Sequence, residues 1–110
     1  MITTTFTYSS NGVLSLDLTG HADLVREGYD PVCAAVSVLL YTLADELEDM
    51  AGEGLLRRSP HILLSPGSAH ISVTPTRKGR MRTEGAYRLT LRGLDLLSKA
   101  YPQCLKISGK

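Results

Sequence analysis

The stretch that decides the fold is residues 28–50, which read GYDPVCAAVSVLLYTLADELEDM. Apolar side chains recur in it at the spacing of one helix face, at Val32, Val36, Leu39, Leu40, Leu43, Leu47 and Met50. Asp30 is a preferred N-cap residue, and Pro31 suits the first helical position, where its missing N–H is not needed. The pattern therefore predicts a long helix from Asp30 to about Met50, with Cys33 in its first turn.

Strand patterns flank this helix on both sides. Residues 2–8 alternate in polarity, and a Ser-Ser-Asn-Gly turn at 9–12 separates them from the apolar alternation of residues 13–18, which predicts a β-hairpin. After the helix, residues 61–64 and 70–73 predict a second strand pair around a Ser-Pro-Gly-Ser turn.

The last third of the chain predicts one more helix and one more strand. Thr76 to Gly85 is expected to form a polar loop, and Ala86 to Tyr101 a helix whose buried face carries Leu89, Leu94, Leu97 and Tyr101. A short strand is expected over residues 104–107. The order ββαββαβ predicts one α+β domain over residues 1–110, a sandwich in which two helices pack on one face of a mostly antiparallel sheet.

Composition narrows the class of protein. The chain has 110 residues, 43% of them apolar, and a formal net charge of +1. This apolar content supports a core without disulfides or metals, and the balanced charge argues against a surface built wholly for nucleic acid. Only two cysteines occur, Cys33 and Cys104, without zinc or redox spacing. We expect a cytoplasmic protein with no signal peptide and no membrane span.

The chemistry centres on Cys33 and His21. A helix N-terminus favours thiolate over thiol, because its unpaired N–H groups and dipole point at the sulfur. Gly20 would hold His21 at the end of a strand, where its imidazole could form an ion pair with the thiolate and later protonate a departing amine. The first N–H groups of the helix, including that of Cys33, are expected to bind the oxyanion.

Each of these residues also has a structural interpretation. Cys33 could be a small buried hydrophobe and His21 a turn residue, and Cys104 is expected to be structural. Asp30 could orient His21, although N-capping alone explains it. Ser37 lies on the same helix face as Cys33 and could bind substrate or only its own backbone.

The joint pattern Gly20-His21-Ala22, Gly28, Asp30 and Val32-Cys33-Ala34-Ala35-Val36-Ser37 resembles the signature of the ribosomal-processing cysteine proteases, over essentially the full chain. The resemblance implies a peptidase that removes the N-terminal extension of a precursor of large-subunit ribosomal protein number twenty-seven, with Cys33 and His21 as its dyad. Gly28 fits a hinge in a substrate-gating loop over residues 22–29, and Tyr29 could line the pocket or cover the helix start.

Three further expectations concern ligands and partners. His61 and His70 have no compact ligand spacing with His21 and Cys33, so no metal and no cofactor are expected. The apolar stretch from Ala34 to Leu43 predicts a homodimer. The basic residues at 77–82 favour a solvated loop, and contact with RNA is the minority interpretation. The alternative function is therefore a non-catalytic ribosome- or RNA-binding module that uses this basic loop.

Overall fold

A computed structural model describes residues 1–24, 28 and 30–108. Within these residues the chain forms five strands and two helices in the predicted order. They are β1 (Ile2–Tyr8), β2 (Leu14–Thr19), α1 (Pro31–Gly52), β3 (His61–Ser65), β4 (Ser68–Val73), α2 (Arg80–Ala100) and β5 (Leu105–Ser108). The sheet order is β3-β4-β2-β1-β5, and all neighbours are antiparallel except β1 and β5, which are parallel. The predicted α+β class and ββαββαβ order are confirmed.

The alternation of each strand sorts its side chains between the core and solvent. In β2, Leu14, Leu16 and Leu18 are buried, whereas Ser15 is partly buried and Asp17 and Thr19 are exposed. α1 buries the predicted face except Leu39, which is partly buried, and it packs with α2 into the same core. In the described part of the chain, neither helix has the length and apolar content needed to cross a bilayer.

The second helix begins earlier than its apolar pattern indicates. α2 starts at Arg80, so most of the predicted loop from Thr76 to Gly85 is helical and this prediction is wrong. Two contacts stabilise the polar first turns: the Thr83 hydroxyl donates to the Gly79 carbonyl at 2.8 Å, and the Arg82 guanidinium binds carboxylates of α1. Both contacts depend on residues that helical periodicity does not detect.

The buried face of α2 also differs from the prediction. Leu89 is 72% exposed, whereas Thr83, Tyr87, Thr90 and Leu94 are buried. Tyr87 donates its hydroxyl to the Ile71 carbonyl at 2.9 Å, which lets this large ring enter the core without an unpaired polar group. The tyrosine and two threonines therefore set the helix rotation, and Leu89 is left facing solvent.

Candidate active site

Asp30 sets the start of α1 and connects it to the segment after His21. Its backbone is extended, and its Oδ1 accepts the N–H groups of Val32 at 2.9 Å and Cys33 at 3.2 Å, which confirms the predicted N-cap. Its Oδ2 accepts the Leu24 N–H at 3.0 Å. One carboxylate thus holds both the helix that carries Cys33 and the chain that leads away from His21.

The first-turn N–H groups of α1 are already engaged. Pro31 has none, Val32 and Cys33 donate to the Asp30 carboxylate, and Ala34 donates to the Asp30 carbonyl at 3.0 Å. The expectation of unpaired N–H groups facing the thiol is therefore wrong. The Cys33 N–H would have to leave Asp30 to bind an oxyanion, and its assignment to the oxyanion stays a prediction.

The position of His21 depends on a glycine at the end of β2. Gly20 has φ +99°, and a Cβ at this position would lie 2.2 Å from the Met1 carbonyl oxygen. Any other side chain would collide with the backbone, so the strand can only end this way with glycine. The Gly20 N–H also donates to the Gly67 carbonyl at 2.9 Å, which ties the end of β2 to the β3–β4 turn.

Gly67 is a site residue that the sequence pattern did not reveal. It has φ +76°, and a Cβ placed on it would lie only 2.7 Å from Nε2 of His21. The imidazole therefore lies directly against the bare glycine backbone. The Pro-Gly pair identifies the turn from sequence, but its place beside His21 follows from the pairing of β4 with β2, which aligns Ser68 with Thr19.

Cys33 and His21 line the same cavity, whose volume is about 370 Å³. One wall comes from α1, where Cys33, Val36, Ser37, Leu40 and Tyr41 follow the spacing of a single helix stripe. The opposite wall comes from the sheet and the β3–β4 turn, with Ile2, Leu18, Leu64, Ser65, Pro66, Gly67, Ser68 and Ala69. Cys33 is partly buried and His21 exposed, so solvent and a peptide can both reach the pair.

Two further predicted site residues, Ala22 and Gly28, are not among the residues that line this cavity. Ala22 is buried, and Gly28 is exposed with φ +80°. The proposed gating loop also includes residues 25–27 and 29, which lie outside the described residues, as does the proposed role of Tyr29. The hinge role of Gly28 stays a prediction.

The other histidines and the second cysteine lie elsewhere. His70 is on the outer face of the sheet, where its ring nitrogens contact Asp17 at 2.6 Å and Ser72 at 3.1 Å, and His61 packs edge-on against it. Cys104 is buried in the turn before β5, and its carbonyl accepts the Ile2 N–H at 2.7 Å. None of these three residues lines the cavity of Cys33 and His21, and the burial of Cys104 agrees with the structural role expected for it.

A thiol and an imidazole in one open cavity with apolar walls are the groups that a cysteine peptidase requires. The thiolate can attack a carbonyl, the imidazole can carry the proton to the leaving amine, and the apolar wall can bind side chains of an extended peptide. The carboxylate of Asp30 lies at the helix end, where its capping bonds account for its position.

Known proteins with the same fold include proteases. A ribosomal processing protease Prp from S. aureus, solved with a covalently linked product peptide, aligns with this chain over the full length of both. The two are 22% identical, with a TM-score of 0.73. The same protease with a substrate peptide gives 22% identity, full coverage of both chains and a TM-score of 0.69. SMU.848 from Streptococcus mutans is 29% identical over 98% of this chain and 92% of its own, with a TM-score of 0.70. No curated protein sequence matches significantly.

The family assignment comes from the sequence. A family model described as cysteine protease Prp matches residues 1–106, which include both cavity walls, Cys33 and His21. The chain therefore belongs to the Prp family of cysteine proteases.

Proposed function

We propose that this protease removes the N-terminal extension of a large-subunit ribosomal protein precursor, number twenty-seven of that set, in the cytoplasm during ribosome assembly. The observation that carries the proposal is the shared cavity of Cys33 and His21, with an apolar wall that suits an extended peptide tail. The S. aureus neighbours, ribosomal processing proteases solved with substrate and product peptides, support it.

The reaction follows from the two side chains. The Cys33 thiolate attacks the scissile carbonyl and forms the C–S bond, while the carbonyl electrons move to oxygen. The intermediate collapses to an acyl-enzyme as the C–N bond breaks and the His21 imidazolium gives its proton to the amine. Water then attacks the thioester with His21 as base, which releases the carboxylate and restores the thiol. Gly20 and Gly67 position the imidazole, and Asp30 positions the cysteine.

The decisive experiment is incubation of the precursor with wild type, Cys33→Ala and His21→Ala, followed by mass measurement of its N-terminus. We expect cleavage by wild type and none by Cys33→Ala. An intact precursor with all three proteins would refute the substrate, and cleavage by Cys33→Ala would refute the nucleophile.

A second measurement tests the dyad without a substrate. Because Cys104 is buried, iodoacetamide in the folded protein reports on Cys33. We expect alkylation well below pH 8 that is lost in His21→Ala. A Cys33 that reacts no faster than a free thiol at every pH would contradict the ion pair. Membership in a protease family removes the non-catalytic alternative.

We also propose that the protein is a homodimer. On α1, Val38 is 64% and Tyr41 62% exposed, in the stretch whose apolar character predicted a second subunit. Sedimentation at micromolar protein should show a dimer that Val38→Glu dissociates. A monomer in wild type would refute this.

A further inference from the structure

At the end of the sheet opposite the active site, a polar groove of about 330 Å³ lies between the β1–β2 turn and the start of α2. Its lining includes Arg57, Arg80, Ser9, Ser10 and Asn11, and none of the described residues that line it is acidic. The nearby Glu84 carboxylate accepts the hydroxyl of Tyr8, which also lines the groove. β2 runs from this turn to Gly20, so its six residues separate the groove from His21 by about 20 Å. The groove is therefore a separate surface from the catalytic cavity.

The cations at this end of the molecule are not neutralised internally. The Arg57 N–H donates to the Thr74 carbonyl at 2.9 Å, which aligns the segment containing Arg57 and Arg58 with the chain that continues into Arg77 and Lys78. Among the residues described, no carboxylate lies within salt-bridge distance of these four cations or of Arg80.

Arg82 differs from them. Its guanidinium contacts Glu46, Asp49 and Glu53 at 2.8, 3.2 and 3.0 Å, so it is a structural residue of the α1–α2 interface. Of the basic residues at 77–82, Arg82 therefore stabilises the fold, and Arg80 lines the groove.

An aromatic ring completes this surface. Tyr8 lines the groove, is 45% exposed, and donates its hydroxyl to Glu84 at 2.6 Å, which fixes the ring. Arginines bind phosphate oxygens in bidentate fashion, and an exposed ring stacks on a base. The Ser9 hydroxyl donates to the Asn11 side-chain oxygen, so the Ser10 hydroxyl and the Asn11 amide are the groups that can donate to phosphate and sugar. An acidic peptide would use the same arginine, hydroxyl and amide donors, but it would leave the aromatic face without a stacking partner.

We propose that the groove formed by Tyr8, Ser9–Asn11, Arg57 and Arg80, with the adjoining Arg58, Arg77 and Lys78, binds a single-stranded RNA segment through its phosphates and one stacked base. This surface would hold the protease on RNA while its opposite end remains open to a peptide.

The test uses fluorescence anisotropy of a fluorescein-labelled 20-nucleotide oligouridylate between 50 and 200 mM KCl. Arg57→Gln/Arg80→Gln should bind more weakly than wild type and lower the slope of log K against log salt by about 1.4, because each phosphate contact on a single strand contributes about 0.7. Arg92→Gln/Lys106→Gln is the control, since it also removes two exposed positive charges and neither residue lines the groove. It should bind like wild type.

Two further arms separate RNA from an acidic protein and from misfolding. Tyr8→Leu should weaken oligouridylate binding about fivefold by loss of stacking and leave oligoglutamate binding less affected. Alkylation of Cys33 should remain at the wild-type rate in every variant. The proposal is overturned if wild type does not bind oligouridylate, if the two double variants have equal effects, or if oligoglutamate competes as well as RNA at equal charge.

Discussion

Replacing Gly67 by alanine tests whether the β3–β4 turn positions His21 for catalysis. The new Cβ would lie 2.7 Å from Nε2 of His21, and the imidazole would have to move about 0.7 Å to reach the 3.4 Å of ordinary contact. A displacement of about 1 Å in a catalytic group costs on the order of a hundredfold in rate. We therefore expect kcat/KM for precursor cleavage to fall tenfold to a hundredfold.

The matched control is Gly12→Ala. Both glycines have positive φ, +76° for Gly67 and +86° for Gly12, so both substitutions carry the backbone cost of roughly 1–2 kcal/mol for an L-residue in this region. No described atom lies within 4 Å of a Cβ at Gly12, whereas the atom met at Gly67 is the end of a mobile side chain. The two variants should therefore lose similar stability, and only Gly67→Ala should lose activity.

The assays are urea unfolding, precursor cleavage and the rate of Cys33 alkylation at pH 6. If Gly67→Ala kept the wild-type kcat/KM while being as destabilised as Gly12→Ala, the turn would not position the imidazole. If Gly12→Ala lost as much activity as Gly67→Ala, general backbone strain would explain the result.

Three other substitutions test interactions that stabilise the helices: the Asp30 cap of α1, the burial of Tyr87 and the ion pairs of Arg82. Asp30→Asn keeps a side-chain oxygen that can cap α1 and loses the second oxygen, which accepts the Leu24 N–H. The unfolding free energy of Asp30→Asn should therefore exceed that of Asp30→Ala by about 1 kcal/mol. Equal values would contradict the capping role of Asp30. Burial raises the pKa of Tyr87, so above pH ~10 this tyrosine ionises in the unfolded chain before it does so in the folded protein. Tyr87 should therefore lower the unfolding free energy by about 1.4 kcal/mol per pH unit, and alkaline urea titrations of Tyr87→Phe should show a slope smaller by that amount. Arg82→Gln should lower Tm at 50 mM NaCl and less so at 1 M, because salt screens its exposed ion pairs; a loss independent of salt would point to packing.

Local sequence chemistry predicts the elements whose contacts are local. The Asp30-Pro31 pair predicts the start of α1, and the turn at residues 9–12 predicts the β1–β2 hairpin, because caps and tight turns are decided within a few residues. The start of α2 is different, because its first turn is polar and Arg82 binds carboxylates on α1 and at the C-cap of α1, 29 to 36 residues away in sequence. Helical periodicity is judged over stretches of fewer than about 20 residues, so it cannot detect contacts at this separation.

The candidate site divides in the same way. Cys33 and His21 can be proposed from their motif and from the helix start, and both line one cavity in the structure. Gly67 cannot be proposed in this way, because its role depends on β4 lying beside β2 rather than on any property of the Pro-Gly turn itself. Residues that act through strand order become visible only when the sheet is known.

The position of Asp30 also constrains how the tetrahedral intermediate is stabilised. Its carboxylate occupies the Val32 and Cys33 N–H groups, and two like charges 4 Å apart near a protein surface repel by about 4 kcal/mol. An oxyanion at the helix end would meet this repulsion and find no vacant donor there. While Asp30 keeps these bonds, we expect the oxyanion to be stabilised from the cavity side, where Ser37 lies one helical turn beyond Cys33 and Ser65 and Ser68 line the opposite wall. In that arrangement the capping carboxylate would favour development of the charge on the side of the cavity that holds His21.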